Sequence, residues 1–132
     1  LADKRLAILA KLKADSTIAG IVNHATLGLQ IFLWMSPNEE VFPRIVVREV
    51  DNASNRAADN FTIWSRQTYE ISFTTPTNQV EDFITLCNAI PDAMKAIGGR
   101  LIGSGGDTLI AEHRIVNKTQ TFEFYSDEEE EE

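Results

Sequence analysis

The stretch RQTYEISFTTPTNQVEDFITLCNAI, residues 66–90, changes its period at Pro76. Before the proline the chain alternates: Tyr69, Ile71 and Phe73 share one parity, and Arg66, Thr68, Glu70 and Thr74 take the other. Such alternation is the mark of a strand with one buried face. After it, Val80, Phe83, Ile84, Cys87, Ile90, Met94 and Ile97 recur at spacings of three and four, the mark of an amphipathic helix. A strand feeding a helix across a Pro-Thr break is therefore expected, with Thr77 or Asn78 as the helix cap. Pro91 is expected to kink this helix or restart it, and Gly98-Gly99 to close it.

Read backwards, the alternation begins at Phe61, with Ile63 on the inward parity and Thr62 on the other. A strand from Phe61 to Thr75 would measure about 50 Å at ~3.3 Å per residue, where most strands have about five or six residues. Ser65 and Gln67 interrupt the inward parity. The first part is thus expected to project beyond the core as a hairpin arm. Trp64 falls on the polar parity, either to pack under a neighbouring element or to anchor an interface. The preceding DNASNRAADN, residues 51–60, has no apolar periodicity and reads as a loop at the arm's tip.

Upstream, residues 3–14 form a helix whose Leu1, Ile8, Leu9 and Leu12 share an arc with Leu6 at its edge. Ser16 is expected to cap a short second helix, Thr17 to Val22. NHATLG, residues 23–28, makes a turn. Leu29–Trp34 and Pro43–Val50 read as strands joined by the polar link SPNEEV. Downstream, strands are expected over Arg100–Gly103, Thr108–Val116 and Thr119–Tyr125, with Asn117-Lys118 as a turn or bulge and Phe122 and Phe124 buried.

IGSGGDT, residues 102–108, has the glycines of a phosphate cradle, but such a cradle needs a strand, a glycine loop and then a helix N-terminus. Here strands lie on both sides, and the Lys-Ser/Thr of a P-loop is missing. A flexible hairpin loop is the better reading.

The remaining chemistry is sparse. The single cysteine, Cys87, lies on the helix stripe and permits no intrachain disulfide, which suits a reducing compartment. It reads as core filler. His24 and His113 are far apart in sequence, and no HxH, HExxH or CxxC pattern points to a metal. Glu39-Glu40, Glu81-Asp82 and Glu112 read as exposed carboxylates. Ser65, Ser72 and Ser104 lack a nucleophile-elbow context. No catalytic, cofactor or metal residue is assigned.

The 132 residues suit one domain, here 1–126, followed by an acidic disordered tail, 127–132. The net charge of −8 is concentrated in that tail: six of the 20 acidic residues lie there, leaving 14 against 12 Lys and Arg. A body at −2 is not the basic surface that nucleic-acid binding requires. The tail is a solubilising segment, a contact for a basic partner, or a negative fringe that keeps DNA from sticking. No apolar run approaches the ~20 residues of a membrane span. The opening LADKRLAILAKLKAD, with charges throughout, does not read as a signal peptide.

The stretches LAILAKLKADSTIAGIV, PRIVVREV, RQTYEISFTTPTNQVEDFITLCNAI and EHRIVNKTQTFEFYS, in that order, resemble the tail terminator proteins of long-tailed bacteriophages, also called tail completion or tail-to-head joining proteins. The likeness is one of layout and covers most of residues 3–125. It implies an α+β domain: a mostly antiparallel or mixed sheet backed by two main helices, with a long protruding β-hairpin arm. It implies a homo-oligomer, a hexameric ring that closes the tail tube and joins it to the head–tail connector. DNA would pass through without specific binding, with no cofactor and no membrane. The location implied is the virion's tail and neck, after assembly in the host cytoplasm. The acidic tail is a departure from that pattern.

Under this resemblance, interface residues are expected on the arm and the glycine run: Asp51, Asn52, Asn55, Arg56, Asp59, Asn60, Trp64, Arg66, Ser104, Gly105 and Gly106. The glycine run would be a second mobile loop. Competing readings are a head completion or stopper protein, a small-molecule-binding or enzymatic α+β domain with a site between subunits, and a host-encoded interaction module.

Overall fold

The computed structural model describes residues 3–37, 41–56 and 62–127; over 52–56, 62–65 and 126–127 only the backbone path is described. Among the described residues three α-helices, α1 (Arg5–Ala14), α2 (Ser16–Val22) and α3 (Val80–Ala96), accompany eight strands. β1 (Asn23–His24) and β2 (Gly28–Leu29) form a small antiparallel hairpin. β3 (Ile31–Leu33), β4 (Arg44–Arg56), β5 (Thr62–Pro76), β6 (Gly99–Ser104), β7 (Thr108–Ile110) and β8 (Ile115–Asp127) form a sheet in the order β3-β4-β5-β8-β6, with β7 also paired to β8. Only β3 and β4 run parallel. The fold is α+β with a mixed sheet, as the sequence implied.

The alternating parity of β5 decides which face is covered. Tyr69, Ile71 and Phe73 are fully buried together with Ile45 and Val47 of β4 and Phe122 and Phe124 of β8. Against them pack Ile8 and Leu12 of α1, Ile18 and Val22 of α2, and Phe83, Leu86, Ile90 and Met94 of α3. Leu6 and the face opposite this stripe stay exposed.

Two caps differ from expectation by a residue or more. Asp15, not Ser16, caps α2: its Oδ1 accepts from the Thr17 and Ile18 N–H groups at 3.0 Å each. It also ends α1 by donating its own N–H to Lys11 O. α3 is preceded by Gln79, which makes no side-chain cap bond. Thr77, the expected cap, instead donates its N–H to Arg114 O and ties the helix entry to the start of β8. Glu81 and Asp82 in the first turn complement the helix dipole.

Pro91 does not restart α3, which runs from Val80 to Ala96 with the proline inside it. A proline there removes the N–H that would bond the carbonyl four residues earlier, which belongs to Cys87. Gln120 of β8, almost fully buried, donates Nε2–H to that same Cys87 O at 3.0 Å. The sheet thus supplies the donor that the helix lacks. At the C-terminal end Gly98 adopts φ +91, with Gly98 N–H bonded to Lys95 O. Gly99 then lets β6 run against Phe124: a Cβ there would lie 2.6 Å from the ring's Cζ.

β8 is longer than the sequence suggested. Asn117-Lys118 is neither turn nor bulge, because Ile115 to Asp127 pair without a break against Pro76 to Trp64. The expected strand Thr108–Val116 is instead divided by a 3-10 turn, Ala111–His113, followed by Arg114 at φ 55. No glycine or proline marks that reversal, so its sequence gave no turn signal.

Tyr69 links α1 to the sheet. Its hydroxyl accepts the Lys4 N–H at 3.0 Å and donates to Gln67 Oε1. Burial pushes its pKa up to about 12. A phenol whose folded pKa exceeds its unfolded value near 10 favours folding below pH ~10 and loses that contribution as pH rises through ~12. Tyr69→Phe is expected to cost about 1–2 kcal/mol at neutral pH and to show a smaller alkaline loss between those pH values in urea titrations. A second test addresses Pro91. Gln120→Ala is expected to cost about 1–3 kcal/mol through the unpaired Cys87 carbonyl. That cost should largely vanish in a Pro91→Ala background, where the helix regains its own donor.

Candidate functional site

The arm is built from three strands, not two. β4 does not stop at Val50: Asp51, Asn52, Asn55 and Arg56, expected in a loop, pair with Thr68, Gln67, Trp64 and Thr62 of β5. Asp, Asn and Ser are poor strand formers, but ladder pairing along a long partner outweighs such local preference. Bulges at Glu49/Asp51 and Asn55/Arg56 mark where the fit is imperfect. On the other side, β8 continues beside β5 to Arg66↔Tyr125 and Trp64↔Asp127. Asp127, expected in the tail, is therefore strand. Asp59, Asn60, Phe61 and residues 128–132 lie outside the described residues, as does the side chain of Trp64.

The arm's outer strands have open edges among the described residues. β3 pairs with β4 no further than Leu33↔Val47, and β6 pairs with β8 no further than Gly99↔Phe124. Unpaired edges present rows of N–H and C=O groups able to bond another chain.

The face of the sheet opposite the helices is polar, and three of its arginines meet carboxylates across strands. Arg48 bonds Glu70 at 2.6 Å, Arg66 bonds Asp51 at 2.8 Å, and Arg100 bonds Glu123 at 2.6 Å. Between them Ser72 bonds Thr119 and Thr74 bonds Asn117, each at 2.8 Å. The hydrogen bond to Asp51 raises the Arg66 pKa, and that to Glu123 raises that of Arg100. These arginines are held as ions whose charge is already answered.

The glycine run is not a hairpin loop. β6 and β7 lie along the same side of β8, with Ser104 opposite Gln120 and Thr108 opposite Asn117. Gly105 and Gly106 belong to a bulge in one interrupted edge strand. It is also held in place: Gly105 donates its N–H to Thr119 O at 2.9 Å, and Lys118 Nζ donates to Gly105 O at 2.8 Å beside Asp107. The expected mobile loop is thus a tethered segment. Nor does the fold bring it to the arm. Gln120, opposite Ser104, and Asp127, opposite Trp64, are roughly 20 Å apart along β8 at about 3.3 Å per residue.

Cys87 is half-buried, and burial pushes its thiol pKa up, the reverse of an activated nucleophile. His24 Nδ1 accepts the Thr26 and Leu27 N–H groups and shapes the β1–β2 turn. Among the described residues no group of three or more His, Cys, Asp or Glu could hold a metal ion. Among the described residues no helix is long and apolar enough to cross a membrane.

One surface was missed from sequence. α3 is rotated from its expected stripe: Leu86 and Ala93 are buried, whereas Val80 and Ile84 are 59% and 53% exposed. With Pro76, Cys87, Leu109 and Val116 they line an apolar groove of about 420 Å³ between α3 and the β7 edge. Because α3 is apolar over a wide arc, Leu86 and Ala93 were the signal that its inward face could turn this way. A second exposed apolar pair, Trp34 and Met35, follows β3 at the opposite edge.

No protein-family model and no curated protein matches this sequence. The fold is shared with a chain of the virion of a native gene transfer agent (GTA) particle, at a TM-score of 0.63 and 17% identity over 88% of each chain. At that identity the likeness is one of fold.

The tether on the glycine bulge is testable. Lys118→Met is expected to speed amide exchange at Gly105 about tenfold, the equivalent of ~1.4 kcal/mol of local opening, with little change at Phe122. Unchanged exchange would show that the ladder alone holds the segment.

Proposed function

We propose that this chain is a structural virion subunit that forms a ring at the end of a phage-type tail tube and joins the tube to the head connector, leaving a channel for DNA. The observation that carries this reading is the three-stranded arm, with open edges on both sides, on a fold shared with a chain of a virion particle. A subunit that must hold a tube or a neighbour needs a stiff element reaching beyond its own core. Three paired strands are stiffer than the loop that the sequence suggested. Strand addition at an open edge gives backbone hydrogen bonds without demanding particular side chains. Asp51, Asn52, Asn55, Arg56, Trp64 and Arg66 lie on this arm and form its contact surface.

The polar face of the sheet suits a wall past which DNA moves. Binding of duplex DNA is driven by cations that displace its counterions. Here Arg48, Arg66 and Arg100 each already answer a carboxylate. The acidic tail adds negative charge to a body near neutrality, so the ring repels the duplex at its fringe and does not grip it along its wall.

Replacing residues 53–66 with an Asn-Gly turn that joins the paired residues Asn52 and Gln67 shortens the arm without altering the core register. This variant is expected to fold yet fail to join purified tails to filled heads. Normal joining by a folded variant would remove the arm from the mechanism. Finding the protein on isolated heads and not on tails would favour a stopper role. Separately, fluorescence anisotropy with duplex DNA at about 0.15 M salt is expected to show no binding tighter than about 10⁻⁴ M, the weak end of non-specific association. Micromolar retention would contradict a passive channel.

A further inference from the structure

We propose that the exposed Trp34–Met35 turn of one copy seats in the α3–β7 groove of the next, forming the head-to-tail contact of the ring. This rests on the ring reading above and names its subunit interface. Trp34 and Met35 are 67% and 70% exposed, and Leu109 at the groove's lip is 62% exposed. The turn follows β3 and the groove borders β7, which occupy opposite edges of one sheet. A protrusion and a recess on opposite edges cannot satisfy each other within one copy, nor through a two-fold contact between like patches. They can do so head to tail, the arrangement that yields rings when the rotation closes.

The turn is built to present its side chains outward. Trp34 sits at φ 68, a conformation rare for a bulky residue. The Trp34 N–H bonds Val47 O at 2.9 Å and the Met35 N–H bonds Leu33 O at 2.7 Å, which fixes the turn against β4. Charge does not oppose the contact, because the ionic groups nearest each side are already paired: Arg48 with Glu70 beside the turn, and Asp107 with Lys118 at the groove.

Area decides what kind of contact this is. An aromatic side chain carries about 150–250 Å², so Trp34 offers roughly 100–170 Å². With Met35, Val80, Ile84 and Leu109 the apolar surface that the two edges together bring to the contact is on the order of 500 Å². A stable pair needs about 1,200 Å² or more. One contact alone is therefore weak, and each copy in a closed ring makes two. Self-association is then steeply dependent on concentration, with few dimers beside monomers and rings. The groove and turn take this role, leaving the arm for the tube or connector.

Because Cys87 is the only cysteine and lines the groove, a cross-link can read the contact directly. Met35→Cys is expected, under mild oxidation at high concentration, to give a ladder of covalent oligomers that ends at the ring size. Met35→Cys with Cys87→Ser is expected to give no ladder, because the groove then offers no thiol. Trp34→Ala, an exposed position, is expected to keep the melting temperature and weaken self-association at least tenfold in sedimentation equilibrium. A wild-type ring that survives Trp34→Ala and yields no ladder overturns this interface while leaving the ring reading intact. A wild-type chain that stays monomeric at millimolar concentration overturns both. A ladder without an upper limit supports the contact and contradicts closure.

Discussion

Every other element of this molecule depends on the pairing of β5 along both of its sides. Thirteen consecutive residues, Trp64 to Pro76, face Asp127 to Ile115 without a slip. The opposite side carries β4 from Arg44 to Arg56 with two bulges. One half of this three-stranded ribbon is backed by the helices, with Tyr69, Ile71 and Phe73 in the core. The other half continues past them as the arm. Core and arm therefore share the same strands and are joined by the backbone hydrogen bonds of the ladder.

The same continuity explains the polar face. Residues that alternate with the core side chains have no second layer above them, so they satisfy one another across strands as ion pairs and hydroxyl bonds. Arg48–Glu70 and Arg66–Asp51 are exposed enough to contribute little stability, whereas Glu123 is buried and depends on Arg100 to answer its charge. Their consequence is electrostatic, since a face with matched charges holds neither cation nor anion strongly.

What was legible in the sequence was periodic. The alternation from Tyr69 to Phe73, the α3 spacing, the α1 stripe of Ile8 and Leu12, and the Phe122/Phe124 parity all report burial against a single layer. What was not legible depended on partners far along the chain. Asp51 to Arg56 are strand only because β5 lies beside them. Pro91 is tolerated only because Gln120 reaches Cys87 O. The glycine run is an edge bulge only because Thr119 and Lys118 hold it. The expected interface residues separate accordingly: Asp51, Asn52, Asn55, Arg56, Trp64 and Arg66 lie on one ribbon, whereas Ser104, Gly105 and Gly106 lie on a distant edge.

The ring at a tube end is the central claim, and electron microscopy of the purified protein, alone at high concentration and mixed with tail tubes, tests it most directly. The account predicts closed rings of about six copies and a cap at one tube end, with the arms in contact with the tube. Monomers that leave both tube ends bare would contradict it.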